Sequence, residues 1–227
     1  MTLAVVTGPS RGIGRATAHR LATRGVSLAL LGRPSAALSQ TERELSESGT
    51  SVFTVACDLS NPMEIKRAAA QVTSLGGVPD IVIHNAAVIH RASVTELALE
   101  AWDEQLNVNL RAPFLLTQAF LPSMLARKTG RLLYVSSISA TLGTPRASAY
   151  NASKWGLTGF VKSLAEELSD TGLMATAILP GSVQTDMLTG SGFPPRMSAE
   201  EVARTLEYHA LDAPLAHNGG IIEMFGI

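Results

Sequence analysis

The sequence predicts a doubly wound α/β fold, with about seven parallel strands and helices on both faces. Three observations carry this reading. Short runs of β-branched and aliphatic residues recur along the chain, longer segments of helical periodicity separate them, and the first run opens onto a glycine-rich turn. Strands that alternate with helices give right-handed βαβ units, whose parallel sheet is covered on both faces.

The elements follow in order. Strands are expected at 3–7, 27–31, 51–56, 81–84, 131–136, 174–179 and 221–225, where the apolar runs are short. Helical periodicity spans 12–24, 35–48, 62–75, 99–128, 150–170 and 199–210. The last of these helices has a start signal, with Ser198 as N-cap and Glu201 completing a capping box. The stretch 188–197, LTGSGFPPRM, lies between a strand and a helix and reads as a mobile loop rather than a linker. Nothing else divides the chain, so 1–227 is expected to be one domain.

Composition narrows the class. The 227 residues are 46% hydrophobic and 16% charged, and carry 18 Lys+Arg against 19 Asp+Glu. Such a balance lacks the basic excess that a phosphate backbone requires, so nucleic acid is not an expected partner. No apolar stretch approaches the roughly 20 residues of a membrane span, and no secretory leader is apparent. The single cysteine, Cys57, cannot form an internal disulfide, which suits a reducing compartment. A cytoplasmic protein is expected.

The first strand runs into Thr7-Gly8-Pro9-Ser10-Arg11-Gly12-Ile13-Gly14. Glycines there let the backbone bend sharply and approach a pyrophosphate, while the free N–H groups of the helix start face the anion. After the second strand stands Gly32-Arg33, where an NAD site usually has an acid. A carboxylate would repel a 2′-phosphate, whereas Arg33 can pair with it, and Arg11 can supply a second positive charge. NADP(H) is therefore expected in preference to NAD(H).

Tyr150 and Lys154 are four residues apart, on one face of a helix. A nearby ammonium favours the phenolate and so moves a phenol, with its ordinary pKa near 10, towards acid/base work at neutral pH. Ser137 follows the fifth strand, where its hydroxyl would face a ligand at the carboxyl edge of the sheet. His84 is expected to be packed or hydrogen-bonded and Cys57 to be a small buried residue. His19, His90, His209 and His217 have no ligand spacing, so no metal site is expected.

Taken together, these motifs resemble the short-chain dehydrogenase/reductase family over nearly the whole chain. The resemblance matches the glycine motif to Thr7–Gly14, the adenine-contacting acid to Asp58 in Cys57-Asp58-Leu59, and the N-A-G turn to Asn85-Ala86-Ala87. It matches the catalytic Asn to Asn109, the catalytic Ser to Ser137 and the Y-x-x-x-K pair to Tyr150 and Lys154. The P-G-x-V-x-T segment corresponds to Pro180-Gly181-Ser182-Val183-Gln184-Thr185. The implied cofactor contacts are Gly8, Ser10, Arg11, Gly12, Ile13, Gly14, Arg33, Asp58, Leu59, Asn85, Ala86, Tyr150, Lys154, Pro180, Gly181, Val183 and Thr185.

The resemblance implies an oxidoreductase that interconverts a carbonyl and a secondary alcohol by hydride transfer. Tyr150 would give the proton, Ser137 would hold the carbonyl oxygen, and Lys154 would bind the nicotinamide ribose and lower the Tyr150 pKa. Asn109 would fix a relay water, and Thr185 and Val183 would hold the carboxamide. A short lid, 186–197, would leave room for a small carbonyl or alcohol substrate, lined by Ile89, Leu142, Met187, Leu188 and Phe193. His90 and Arg146 are candidates for added polarity. A 3-oxoacyl-carrier-protein reductase is the alternative, opposed by the acidic Glu166, Glu167 and Asp170. A non-catalytic dinucleotide sensor or scaffold is the second. Apolar second faces on 99–128 and 150–170 suggest a homodimer or homotetramer.

Overall fold

The computed structural model describes residues 2–226, as seven parallel strands in the order β3-β2-β1-β4-β5-β6-β7. The strands are β1 (Leu3–Thr7), β2 (Ser27–Gly32), β3 (Val52–Ala56), β4 (Ile81–His84), β5 (Gly130–Val135), β6 (Leu173–Pro180) and β7 (Ile221–Met224). The helices are α1 (Gly12–Thr23), α2 (Ala36–Glu47), α3 (Pro62–Gly76), α4 (Leu99–Leu106), α5 (Ala112–Arg127), α6 (Ser148–Glu167) and α7 (Ala199–Leu211). Strand order reverses between β1 and β4, which opens a crevice at the carboxyl edge, the usual ligand position in such sheets. The C-terminal strand stops at Met224, one residue short of its predicted end.

Central strands β1 and β6 are buried throughout, as expected where both faces are covered. One apolar layer joins Val5, Val82, Leu132 and Tyr134 to Leu116, Phe120 and Leu157, and the opposite layer joins Val6, Ile83 and Leu133 to Leu21 and Leu206. Ser198 and Glu201 form the expected capping box of α7.

The expected helix over 99–128 is not continuous. A π-helical turn, Asn107–Arg111, separates α4 from α5. Its sequence, NVNLR, has no Gly or Pro, so nothing in local propensity marked the break. Such turns insert one extra residue into a helix and occur frequently at functional sites. The helix predicted at 150–170 begins at Ser148 and ends at Glu167, with the left-handed Asp170 (φ 61°) after it.

Candidate active site

The site begins at the end of β1. Gly8 turns with φ 65°, and a Cβ added there would lie 2.9 Å from the Ala86 Cα. A Cβ on Gly14 would meet the Gly8 carbonyl oxygen at 2.3 Å, so both positions need bare backbone. Asn85 donates through Nδ2 to the carbonyls of Thr7 (2.9 Å) and Gly8 (3.1 Å). The Thr7 hydroxyl accepts in return from the N–H groups of Asn85 (2.9 Å) and Ala86 (3.0 Å). These four bonds tie the glycine turn and the Asn85-Ala86 turn into one unit.

The first turn of α1 has no acidic residue, and its N-cap, Arg11, makes no side-chain cap. Backbone donors therefore face the crevice without a side-chain partner, as an anion site requires. The glycine cradle and this uncapped helix start fit a dinucleotide pyrophosphate. At the far rim Arg33 is exposed after β2, while the Arg11 guanidinium is paired with Asp186 at 2.9 Å. Asp58 accepts from the Ser60 N–H and hydroxyl, both at 2.8 Å, which holds its carboxyl below the usual range.

The segment after β6 closes the opposite wall. Val183 bridges to Met197, which brings the two ends of the 186–197 segment together. The Thr185 methyl packs so near the glycine turn that a Cβ on Gly12 would sit 3.1 Å from it.

Tyr150 and Lys154 lie one turn apart on α6 and both are buried. Lys154 Nζ stands 5.6 Å from the Tyr150 ring centre. Burial pulls the Lys154 ammonium down to about 7. Burial raises the Tyr150 phenol, opposed by the Ser137 hydroxyl and then by the positive charge of Arg91. Ser137, just after β5, also accepts from the Ser139 N–H at 3.1 Å, which caps a short 3-10 turn.

Asn109 sits within the π-helical turn, and its side chain is committed to the protein. Its Oδ1 accepts from the Val88 N–H (2.8 Å), and Nδ2 donates to the Val88 carbonyl (2.9 Å) and the Ser153 hydroxyl (3.1 Å). The side chain therefore clamps the loop after β4.

One cleft of about 1340 Å³ gathers nearly all the predicted residues. Of those named from the sequence as catalytic or cofactor contacts, Gly14 and Asn109 stand behind its wall. Ile89, Leu142, Met187, Leu188 and Phe193 line the outer part, as expected. Arg146 does not: it is exposed, and its carbonyl accepts from the Ala92 N–H. His90 reaches the rim, where its ring is 2.7 Å from Glu104. The sequence reading missed Arg91, which lines the cleft and acts on Tyr150. Its only local signal was a cation in a stretch of apolar and small residues, and its neighbours His90 and Arg146 drew the assignment instead.

His84 stacks on Tyr134 (4.5 Å between ring centres), near the Thr117 hydroxyl at 3.2 Å, and burial drives it down to about 3. It is a neutral core residue. The Cys57 thiol is buried and pushed up to about 11, first by burial. Among the described residues no group of three His, Cys, Asp or Glu side chains is placed to hold a metal ion, and no helix is long and apolar enough to cross a membrane.

Comparison with known proteins agrees with this geometry. The chain is 30% identical over 228 residues to a 3-oxoacyl-[acyl-carrier-protein] reductase of Synechocystis, covering 96% of this chain and 92% of that one. Its fold superimposes on an actinorhodin polyketide ketoreductase solved with NADPH (TM-score 0.93, 29% identity, 99% and 96% of the two chains). It also superimposes on a metagenomic blue fluorescent protein in complex with NADPH (TM-score 0.90, 28% identity, 99% and 96%). A short chain dehydrogenase family model matches residues 2–192, and with the glycine cradle and the buried Tyr150–Lys154 pair in one cleft, the chain belongs to the short chain dehydrogenase family of oxidoreductases.

Proposed function

We propose that the protein is an NADP(H)-dependent oxidoreductase that interconverts a carbonyl compound and a secondary alcohol. The observation that carries this reading is the burial of Tyr150 and Lys154 on one face of α6, inside the cleft that also holds the glycine cradle. NADP(H), when bound, supplies the hydride. Gly8, Gly12 and the start of α1 bind its pyrophosphate, and Arg33 selects for the 2′-phosphate.

The remaining chemistry belongs to the chain. Tyr150 holds a proton at its phenol oxygen and gives it to the substrate oxygen in reduction; it takes the proton back in oxidation. Ser137 holds that same oxygen by a hydrogen bond, which favours the developing alkoxide. Lys154, once protonated, draws the phenol towards its ionised form. Asn109 keeps the Val88 loop in place behind them.

NADPH oxidation with a panel of ketones, aldehydes, diketones and acyl thioesters tests the proposal, with Tyr150→Phe as control. Turnover of at least one class, lost in the control, is the expected result. NADPH binding without turnover of any class would sink it. The likeness to a 3-oxoacyl-[acyl-carrier-protein] reductase favours a second reading, in which the thioesters outrun every free carbonyl.

A homodimer or homotetramer is also proposed, through the outer faces of α5 and α6. Phe114 and Trp155 are 42% and 54% exposed there, beside the small residues Ala152 and Gly159. A second copy of this face would cover them.

A further inference from the structure

Among the described residues, no carboxylate pairs with Arg91, a cation of the outer cleft. Arg91 lines it together with the apolar Ile89, Met187, Leu188 and Phe193 and with polar residues such as Thr144 and Gln184. The Arg91 Nε is buried and has no hydrogen-bond partner among the described residues. Its Nη2 has only a long contact, 3.4 Å, to the Met187 carbonyl. Two carboxylates that line the cleft are already engaged, Asp186 with Arg11 at 2.9 Å and Glu104 with His90 at 2.7 Å.

A buried donor without a partner is costly to hold, and such a group calls for an explanation. The loop that carries Arg91 is built to keep it there. Val88 is clamped on both sides by Asn109, the His90 N–H is held by the buried Gln105 (3.1 Å), and the Ala92 N–H by the Arg146 carbonyl (3.1 Å). The cation therefore stands on a fixed element, pre-organised for a ligand. Its position relative to the reacting group is also set. Met187 meets Arg91 through its carbonyl and the Tyr150 hydroxyl through its sulfur, at 4.0 Å, so both groups face the same small volume.

We propose that Arg91 is the specificity residue of this site, and that it selects carbonyl substrates bearing a carboxylate a few bonds from the reacting carbon. The inference rests on the carbonyl-reductase reading above. The planar fork of Arg91 would take the carboxylate through its Nη groups, while Tyr150 and Ser137 meet the carbonyl oxygen. A free keto acid fits this arrangement; its ester, with the same carbon skeleton and no charge, lacks the anchor.

The test compares matched keto acids and their methyl esters as substrates of the full-length protein with NADPH, in the wild type, Arg91→Gln and Arg91→Lys. The wild type is expected to favour each acid over its ester in kcat/KM. Arg91→Gln should lower kcat/KM for the acids roughly 10- to 100-fold more than for the esters, mainly through KM, as loss of a charge-assisted hydrogen bond predicts. Arg91→Lys should recover part of the difference. Equal loss for acids and esters, or wild-type preference for the esters or for acyl thioesters, would overturn the proposal. A binding arm separates this outcome from failure of the underlying reading. The Tyr150→Phe protein should bind the acid more tightly than the ester by calorimetry, and Arg91→Gln in that background should erase the difference. Equal binding of the two would overturn the proposal even if no carbonyl were turned over.

Discussion

Lys154 Nζ donates a 2.8 Å hydrogen bond to the carbonyl of Val135, the last residue of β5. The bond leads the side chain across the end of the sheet, beneath the Tyr150 ring, into surroundings that draw the ammonium down to about 7.

Stability should depend on pH through this one group. The folded pKa lies below the ordinary lysine value of 10.5, so from about pH 7 to about pH 10 the unfolded chain binds more protons and this contribution to stability rises with pH. Below about pH 7 both states are protonated and the full cost of the buried charge remains. Without nucleotide, Lys154→Met should therefore gain most over the wild type near pH 6 and least near pH 10. Urea midpoints across this range check it; a constant difference between the two proteins would refute the assignment.

Gly14→Ala tests the cradle. The added methyl cannot fit 2.3 Å from the Gly8 oxygen and 2.4 Å from Asn85 Nδ2, so the glycine turn and the Asn85 turn must part. We expect a loss of about 1–3 kcal/mol, as for overpacking in a close-packed core. NADPH affinity measured by fluorescence should fall at least as steeply as thermal stability.

Asn109→Ala removes three hydrogen bonds and leaves both backbone groups of Val88 without their partner. A destabilisation of about 2–4 kcal/mol follows from buried groups left unpaired. Hydrogen exchange at Val88 should accelerate in the same variant, which distinguishes release of the loop from a general loss of stability.

Cofactor choice is expected to turn on Arg33, which is exposed at the rim, rather than on Arg11, which is already paired with Asp186. Arg33→Asp should lower NADPH affinity by roughly one to two orders of magnitude, as loss of a charge-assisted contact and gain of repulsion imply, and affect NADH much less. Asp186→Asn frees Arg11 and should tighten NADPH binding, an effect that added salt suppresses. Titrations with both cofactors decide the matter.

Trp155→Glu places a charge on the proposed subunit face, where the native indole is 54% exposed. Sedimentation should show a smaller species than the wild type. An unchanged mass would exclude this face as the interface.

The strand positions, the cradle and the Tyr150–Lys154 pair were legible because each depends on a spacing: apolar runs, glycines at a turn, one helical turn of four residues. The π-helical turn was not, since NVNLR reads as ordinary helix and only tertiary contacts to Val88 and Ser153 give the extra residue its purpose. Arg91 was hidden for a related reason. A cation six residues beyond Asn85 has no periodicity, and whether it meets solvent or the cleft depends on Gln105, Asn109 and Arg146 holding the loop from outside. Arg146, a candidate for polarity in the cleft or for the surface, is exposed and supports that loop through its backbone.

The extra residue in 107–111 sets a rotational phase. Upstream of it Gln105 points at the loop after β4, and downstream Ala112, Leu116 and Phe120 pack on the sheet. Winding all five residues of the turn as ordinary α-helix would rotate one half against the other by about 100°. Either the loop clamp or the core contact would then face the wrong way. The wide turn between α4 and α5 therefore keeps both faces in place, and a further inserted residue would lose that phase, although no residue within it lines the cleft except Val108. Insertions and deletions in this chain should accumulate elsewhere, for example around the open glycines Gly190 and Gly192, where an added side chain would meet nothing.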